Sequence, residues 1–121
     1  NRYPYSQPWR LLNVLEKFPK LFVIAAHLGG YTMWASLKTP YLSHPRIYMD
    51  TSSSLPFLAP EEAVSIIRKH GVEKVFFGTD YPMWDHAGEF ERFMKLPLTD
   101  KEKEMILCTN AKRFLLQCHD N

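Results

Sequence analysis

The sequence has 121 residues, a net charge of +2, 45% hydrophobic residues and 23% charged ones, ordinary proportions for a globular protein. A chain of this size buries about two-thirds of the surface it exposes when unfolded, enough for a real core. The small charge, with no block of basic residues, argues against nucleic acid or an anionic membrane surface as partner. No apolar run approaches the roughly 20 residues that span a bilayer.

No signal-peptide pattern opens the chain, and Cys108 and Cys118 both fall in a region that reads as helical. A cytoplasmic, reducing setting is therefore expected. The first residue is Asn1 and not methionine, so a fragment or processed product is expected.

The elements follow in a regular order. Pro8 to Phe18 reads as a helix, with Pro8 at a first helical position and Leu11, Leu12, Leu15 and Phe18 on one face; Pro19 stops it. Leu21 to Ala26 is a predicted strand, followed by the loop His27-Leu28-Gly29-Gly30 and a short helix around Met33 to Leu37. Arg46 to Asp50 is a second strand, ending in Thr51-Ser52-Ser53-Ser54. Pro60 to His70 is a helix with Glu61 and Glu62 in its first turn and Gly71 as its stop, where His70 suits the C-terminal dipole. Lys74 to Phe77 is a third strand. Helices near Gly88 to Met94, from Thr99, and from Asn110 to Gln117 complete the chain; Thr99 and Glu102 fit a capping box.

Strands alternating with helices, each strand almost continuously apolar, predict βαβ units and a parallel sheet. Three strands are too few for a closed sheet, and a (β/α)8 barrel takes about 250 residues. The expected fold is therefore α/β: the C-terminal portion of a (β/α)8 TIM barrel, its last three strand-helix units with C-terminal helices, with residues 1–121 forming part of one domain.

Two strand tips carry side chains with chemistry. Asp80, in Phe77-Gly78-Thr79-Asp80-Tyr81-Pro82, is a carboxylate at the end of a buried strand, where barrels place catalytic groups. It reads as a metal ligand or general base, or as a turn residue. His27 ends another apolar run and reads as a catalytic imidazole or as a core histidine bonded to a carbonyl. Asp50 and Ser52 either contact substrate or close a turn. Trp84, just after Asp80, and Trp34 are pocket walls or core. Gly29-Gly30 builds neither a dinucleotide fingerprint nor a P-loop.

The order Phe18-Pro19-Lys20-Leu21, Ala26-His27-Leu28-Gly29-Gly30, Ile47-Tyr48-Met49-Asp50-Thr51-Ser52, Phe77-Gly78-Thr79-Asp80-Tyr81-Pro82 and Asn110-Ala111-Lys112-Arg113 resembles the C-terminal half of the amidohydrolase superfamily. The resemblance is to the amidohydrolase-related group that includes aminocarboxymuconate semialdehyde decarboxylase-like enzymes, and it runs from Ser6 to Leu116. It implies one divalent metal ion, zinc or manganese, held by a His-x-His pair after strand 1, a His after strand 5 and an Asp after strand 8. By position Asp80 matches that aspartate, and His27 matches the strand 6 histidine that hydrogen-bonds substrate or the metal-bound water. The sequence has no His-x-His, and no histidine precedes His27. One carboxylate and one imidazole do not complete a zinc site, which takes three protein ligands and a water.

The expected activity is metal-dependent hydrolysis of a small carbonyl or carboxylate substrate. Asp80 would bind the metal and manage the proton, His27 would polarise the carbonyl, and Asp50, Ser52 and Trp84 would lie on the substrate side. Non-oxidative decarboxylation is the alternative, and little turnover is expected of this chain alone. The expected partners are a small-molecule substrate and either further copies of the chain or the other half of the barrel; no nucleic acid or membrane partner is expected. A non-catalytic half-barrel that self-associates is the competing reading.

Overall fold

The computed structural model describes residues 6–119; the other residues of the domain expected over 1–121 lie outside that range. Three parallel strands lie in the order β1-β2-β3: β1 is Val23–Ala25, β2 Ile47–Asp50 and β3 Val75–Phe76. The helices are α1 (Pro8–Lys17), α2 (Pro60–His70), α3 (His86–Met94), α4 (Asp100–Glu104) and α5 (Asn110–His119). The α/β class and parallel sheet thus match the reading of the sequence.

The register pairs Val23 with Ile47, Ala25 with Met49, and Met49 with Val75. Alternation along each strand therefore puts these residues on one face, which packs beneath α1 and α2. Leu15, Tyr41, Leu42, Ile47 and Met49 form one buried cluster. Val75 joins Ala63, Val64 and Ile67 of α2 and Phe93 of α3 in another. The opposite face carries Ile24, Tyr48, Asp50 and Phe76. There Tyr48 stacks on Phe76 at 5.5 Å, and Phe114 of α5 meets both rings edge-on at 4.6 and 5.5 Å.

The helix termini follow the predicted chemistry. Pro8 and Pro60 open α1 and α2, and Thr99 with Glu102 forms the complete capping box. The end of α1 is held by Arg46, whose guanidinium donates to the carbonyls of Leu15, Phe18 and Leu21 at 2.9, 2.8 and 3.0 Å, so the orphan carbonyls of the last turn find a cation.

Five local expectations change. The strands are shorter than read, because a strand extends only while a neighbour pairs with it: beyond β3, Phe77 N–H donates to the Ile106 carbonyl, not to another strand. His27–Gly29 is a 3₁₀ turn and the short helix near Met33 is the 3₁₀ turn Trp34–Ser36, while α3 starts earlier, at His86, capped by Asp85. The C-terminal helices are joined by a π-helical turn, Met105–Thr109. Asn110 pins that junction, donating to the carbonyls of Val72 and Val75 at 2.7 and 2.8 Å.

His70 lies on the buried face of α2 together with Ala63 and Ile67. It is 1% exposed, and its ring faces β2 instead of the solvent at the end of α2. Its Nδ1 accepts from Ser43 N–H at 3.0 Å and its Nε2–H donates to the Ile47 carbonyl at 2.7 Å. That pairing needs the neutral ring. Burial, chiefly, pushes its pKa down from 6.5 to about 4.

The consequence for stability has a definite sign. The unfolded chain takes up a proton on this residue near pH 6.5, while the folded chain resists until about 4. Stability is therefore full above the higher value and falls as the pH drops between the two, by about 3 kcal/mol in total from this group. Urea unfolding midpoints are expected to decline over that window in the native sequence and to decline less in His70→Gln; an equal slope in both removes His70 as the cause.

Candidate functional site

All three parallel strands point their C-terminal ends the same way, so the segments after β1, β2 and β3 lie side by side. The middle one is the turn Thr51–Ser54, and it organises the other two. Its residues are 0%, 6%, 5% and 0% exposed, unusual for consecutive hydroxyl side chains, and each hydroxyl has a partner as burial demands.

Thr51 Oγ1 donates to the Gly78 carbonyl at 3.1 Å and accepts Gly78 N–H at 3.0 Å, locking the tip of β3 to the tip of β2. At Gly78 a Cβ would stand 3.3 Å from Asp50 Cγ, a tight approach that the Asp50 side chain would have to ease. Ser54 Oγ closes the turn by donating to the Ser52 carbonyl at 3.0 Å.

Ser52 serves the β1 side. His27 Nδ1 lies 2.9 Å from the Ser52 carbonyl and 3.0 Å from Ser52 Oγ. A carbonyl only accepts, so Nδ1 carries the proton of the neutral ring and Nε2 keeps its lone pair. Asp50 Oδ1 holds this corner together, accepting from His27 N–H at 3.2 Å, from Ser52 N–H at 2.9 Å and from the Ser52 hydroxyl. Trp34 Nε1–H donates to the His27 carbonyl at 2.9 Å. Behind the loop, Tyr41 OH donates to the Gly29 carbonyl at 2.6 Å, and burial pushes that phenol up to about 12.

Ser53 serves the β3 side. Its hydroxyl donates to Asp80 Oδ2 at 2.5 Å and accepts Trp84 Nε1–H at 3.0 Å. Ser53 was not singled out in the sequence, because nothing in a Thr-Ser-Ser-Ser run says which hydroxyl faces which neighbour. The signal is in the backbone: His27, Ser53 and Asp80, one after each strand, all have positive φ, at 61°, 46° and 57°. Thr32 and Ser43 share that conformation elsewhere. Non-glycine residues held there are strained and cluster at functional sites.

The five residues singled out in the sequence thus fall into two linked groups, His27 with Asp50 and Ser52, and Asp80 with Trp84. The turn joins them. An arc of rings spans the same ground: Tyr31 meets His27, Trp34 and Phe57 at 5.5, 5.9 and 5.9 Å, and Phe57 meets Trp84 at 5.8 Å. Tyr31 and Phe57 are 49% and 54% exposed. As donors toward a metal ion, His27 Nε2 and Asp80 Oδ1 are of suitable type. Among the described residues, however, no group of three His, Cys, Asp or Glu side chains comes together to hold one, so these residues alone do not make a metal centre.

The chain is thus an α/β unit whose three-stranded parallel sheet gathers an imidazole, a carboxylate and hydroxyls at its strand tips. A family model described as Amidohydrolase matches residues 1–116, and the chain belongs to that family. No curated protein matches the chain. Among solved structures, an uncharacterised TIM-barrel protein from Bordetella bronchiseptica is 27% identical over 93% of this chain and 40% of its own, with a TM-score of 0.71. An amidohydrolase 2 from Bifidobacterium longum subsp. infantis is 23% identical, covering 93% of this chain and 46% of that one, with a TM-score of 0.64. A dihydroxybenzoic acid decarboxylase from Polaromonas sp. JS666, with bound manganese and the inhibitor 2-nitroresorcinol, is 22% identical over 85% of this chain and 36% of that one, with a TM-score of 0.66. The latter two likenesses are of fold alone. The chain spans less than half the length of each.

Ser53→Ala is expected to free both Asp80 and Trp84. It should cost about 1 kcal/mol in urea unfolding and move the Trp84 indole N–H resonance while leaving that of Trp34 in place; an unmoved Trp84 signal would mean that the Ser53 link does not form in solution.

Proposed function

We propose that this chain supplies the last three strand-helix units of a TIM barrel. Its strand tips would form part of the active site of a metal-dependent enzyme acting on a small carboxylate or carbonyl compound. The observation that carries the reading is the convergence of His27 and Asp80, each itself at positive φ, on one buried hydroxyl turn, where Ser52 holds the first and Ser53 the second. Ordinary turns have no need to bury four hydroxyls to aim two side chains.

The implied divalent ion, zinc or manganese, would supply Lewis-acid polarisation of the substrate. Asp80 would offer it Oδ1, since Ser53 engages Oδ2, with the remaining ligands coming from outside the described residues. His27, anchored through Nδ1, presents Nε2 to the substrate, as acceptor when neutral and as donor when protonated. Asp50, its Oδ1 already taken by three donors, and Ser52 fix that imidazole. Trp84 lies on the substrate side of the Asp80 loop and steadies Ser53.

Between hydrolysis and non-oxidative decarboxylation, two observations favour giving decarboxylation equal weight. Several structural relatives are decarboxylases of hydroxylated benzoates, and the rings of Tyr31, Phe57 and Trp84 offer a planar aromatic acid a wall to lie against. The inert, self-associating half-barrel would need no such wall and no aimed imidazole.

In the protein bearing the full barrel, His27→Asn and Asp80→Asn are each expected to lower turnover by about a hundredfold or more. Chelation should abolish turnover and manganese should restore it. Release of carbon dioxide against release of an alcohol, amine or acid tells the two reactions apart. The 121-residue chain alone is expected to bind manganese weakly by calorimetry and to lose that binding in Asp80→Ala. Full turnover in both variants would refute the assignment.

A further inference from the structure

The turn that carries His27 runs against the preference of its residues. His27, Leu28 and Gly29 have φ of 61°, 46° and 80° in succession, a left-handed turn in which His27 and Leu28 both bear a Cβ. Such residues visit that region singly and stay there only when the surroundings hold them. Asp50 and Trp34 hold the backbone of His27, and Leu28, fully buried, is packed into the core. Gly29 is held by Tyr41, whose OH donates to its carbonyl at 2.6 Å.

Tyr41 is itself fixed. It is buried beside Leu42, and two residues on, Ser43 N–H donates to Nδ1 of His70 in α2 at 3.0 Å. Its ring also packs against the turn, since a Cβ at Gly29 would stand 2.9 Å from Tyr41 Cε1 and 2.7 Å from Met49 Cε. Burial pushes the phenol up to about 12, so it stays protonated and donates throughout the neutral range. Contacts thus run from α2 through Ser43 and Tyr41 to Gly29, the far end of the turn whose near end is His27. The orientation of the imidazole depends on that turn: Nδ1 meets the Ser52 carbonyl at 2.9 Å with the His27 backbone left-handed. A return of His27 to negative φ would carry the ring away from that carbonyl.

We propose that Tyr41 is a positioning residue: by holding the Gly29 carbonyl it keeps the His27 turn left-handed, and so fixes which ring nitrogen faces the substrate. The proposal rests on the reading of His27 as a substrate-facing residue, and adds a determinant of its orientation that acts from behind the loop.

The test reads the ring-nitrogen resonances of His27 in the 121-residue chain at about pH 8, above the usual histidine range. In the native chain Nδ1 is expected to carry the proton, and the Tyr41 hydroxyl proton to show a cross-peak to Gly29. Tyr41→Phe removes the bond and keeps the ring; it should move the Nδ1 signal toward that of an unprotonated nitrogen. Gly29→Ala crowds the same contact and should act alike. Thr99→Ala, which removes the capping box of α4, controls for general loss of stability and should leave His27 unmoved. In the protein bearing the full barrel, Tyr41→Phe should lower kcat about tenfold and change KM by less than about twofold. An absent cross-peak, an unmoved His27 in either folded variant, or an equal shift in Thr99→Ala would each overturn the proposal. If neither variant folds, the native cross-peak decides. An unchanged kcat in Tyr41→Phe also overturns it where His27→Asn loses turnover. Where His27→Asn keeps full turnover, the catalytic reading has failed, and the nitrogen signals alone decide whether Tyr41 orients the ring.

Discussion

The arrangement of this chain depends on burying four hydroxyl residues in succession at the end of its central strand. Burying a hydroxyl without a partner costs about 1–3 kcal/mol, so Thr51 to Ser54 are stable in place only if every one is satisfied. The partners come from both sides and from β2 itself: Gly78 and Asp80 from the β3 tip, His27 from the β1 tip, and Asp50 from the end of β2. Only a central strand can reach both neighbours. The requirement to satisfy the turn therefore fixes the relative positions of the two loops that carry chemistry.

The same turn accounts for the strained backbone around it. A positive φ disfavours any residue with a Cβ by about 1–2 kcal/mol, and here four such residues, His27, Leu28, Ser53 and Asp80, stand at three adjacent tips. The polar ones are each held from more than one direction. His27 is tied through its N–H, its carbonyl and its ring, Asp80 through its carboxylate to Ser53 and its carbonyl to Met83 N–H, and Ser53 through two side-chain partners. Such bonds make a locally unfavourable conformation the best one available, and the side chains are aimed as a result.

Much of this was legible in the sequence because it rests on local patterns. Apolar runs ending in Ala26-His27 and Gly78-Thr79-Asp80 mark strands and their tips, and prolines and a capping box mark helix starts. What was hidden depends on contacts made across the fold. A histidine before a helix-stopping glycine looks like a dipole partner, yet His70 turns inward because the Ile47 carbonyl and Ser43 N–H meet it there. The division of labour in Thr51-Ser52-Ser53-Ser54 follows from φ at Ser53, which a run of like residues does not reveal. The π-helical turn before Asn110 accompanies two demands at one junction, a carbonyl for Phe77 N–H and an amide for the start of β3. Asp50 reads equally as substrate contact or turn residue, and its three hydrogen bonds make it the clamp of the His27 corner.

The two sides of the sheet differ, and the difference bears on where His27 stands. On the β3 side, the Ile106 carbonyl takes up Phe77 N–H and the helical segment lies alongside, which blunts that edge against further pairing. On the β1 side, Ile24 is 48% exposed and is flanked in sequence by Leu21 at 39% and Phe18 at 59%. An open edge strand bordered by apolar side chains is a surface suited to association. His27 stands at the tip of this same strand and is also bonded to the buried turn, so whatever pairs with β1 comes to lie beside the corner that holds the imidazole.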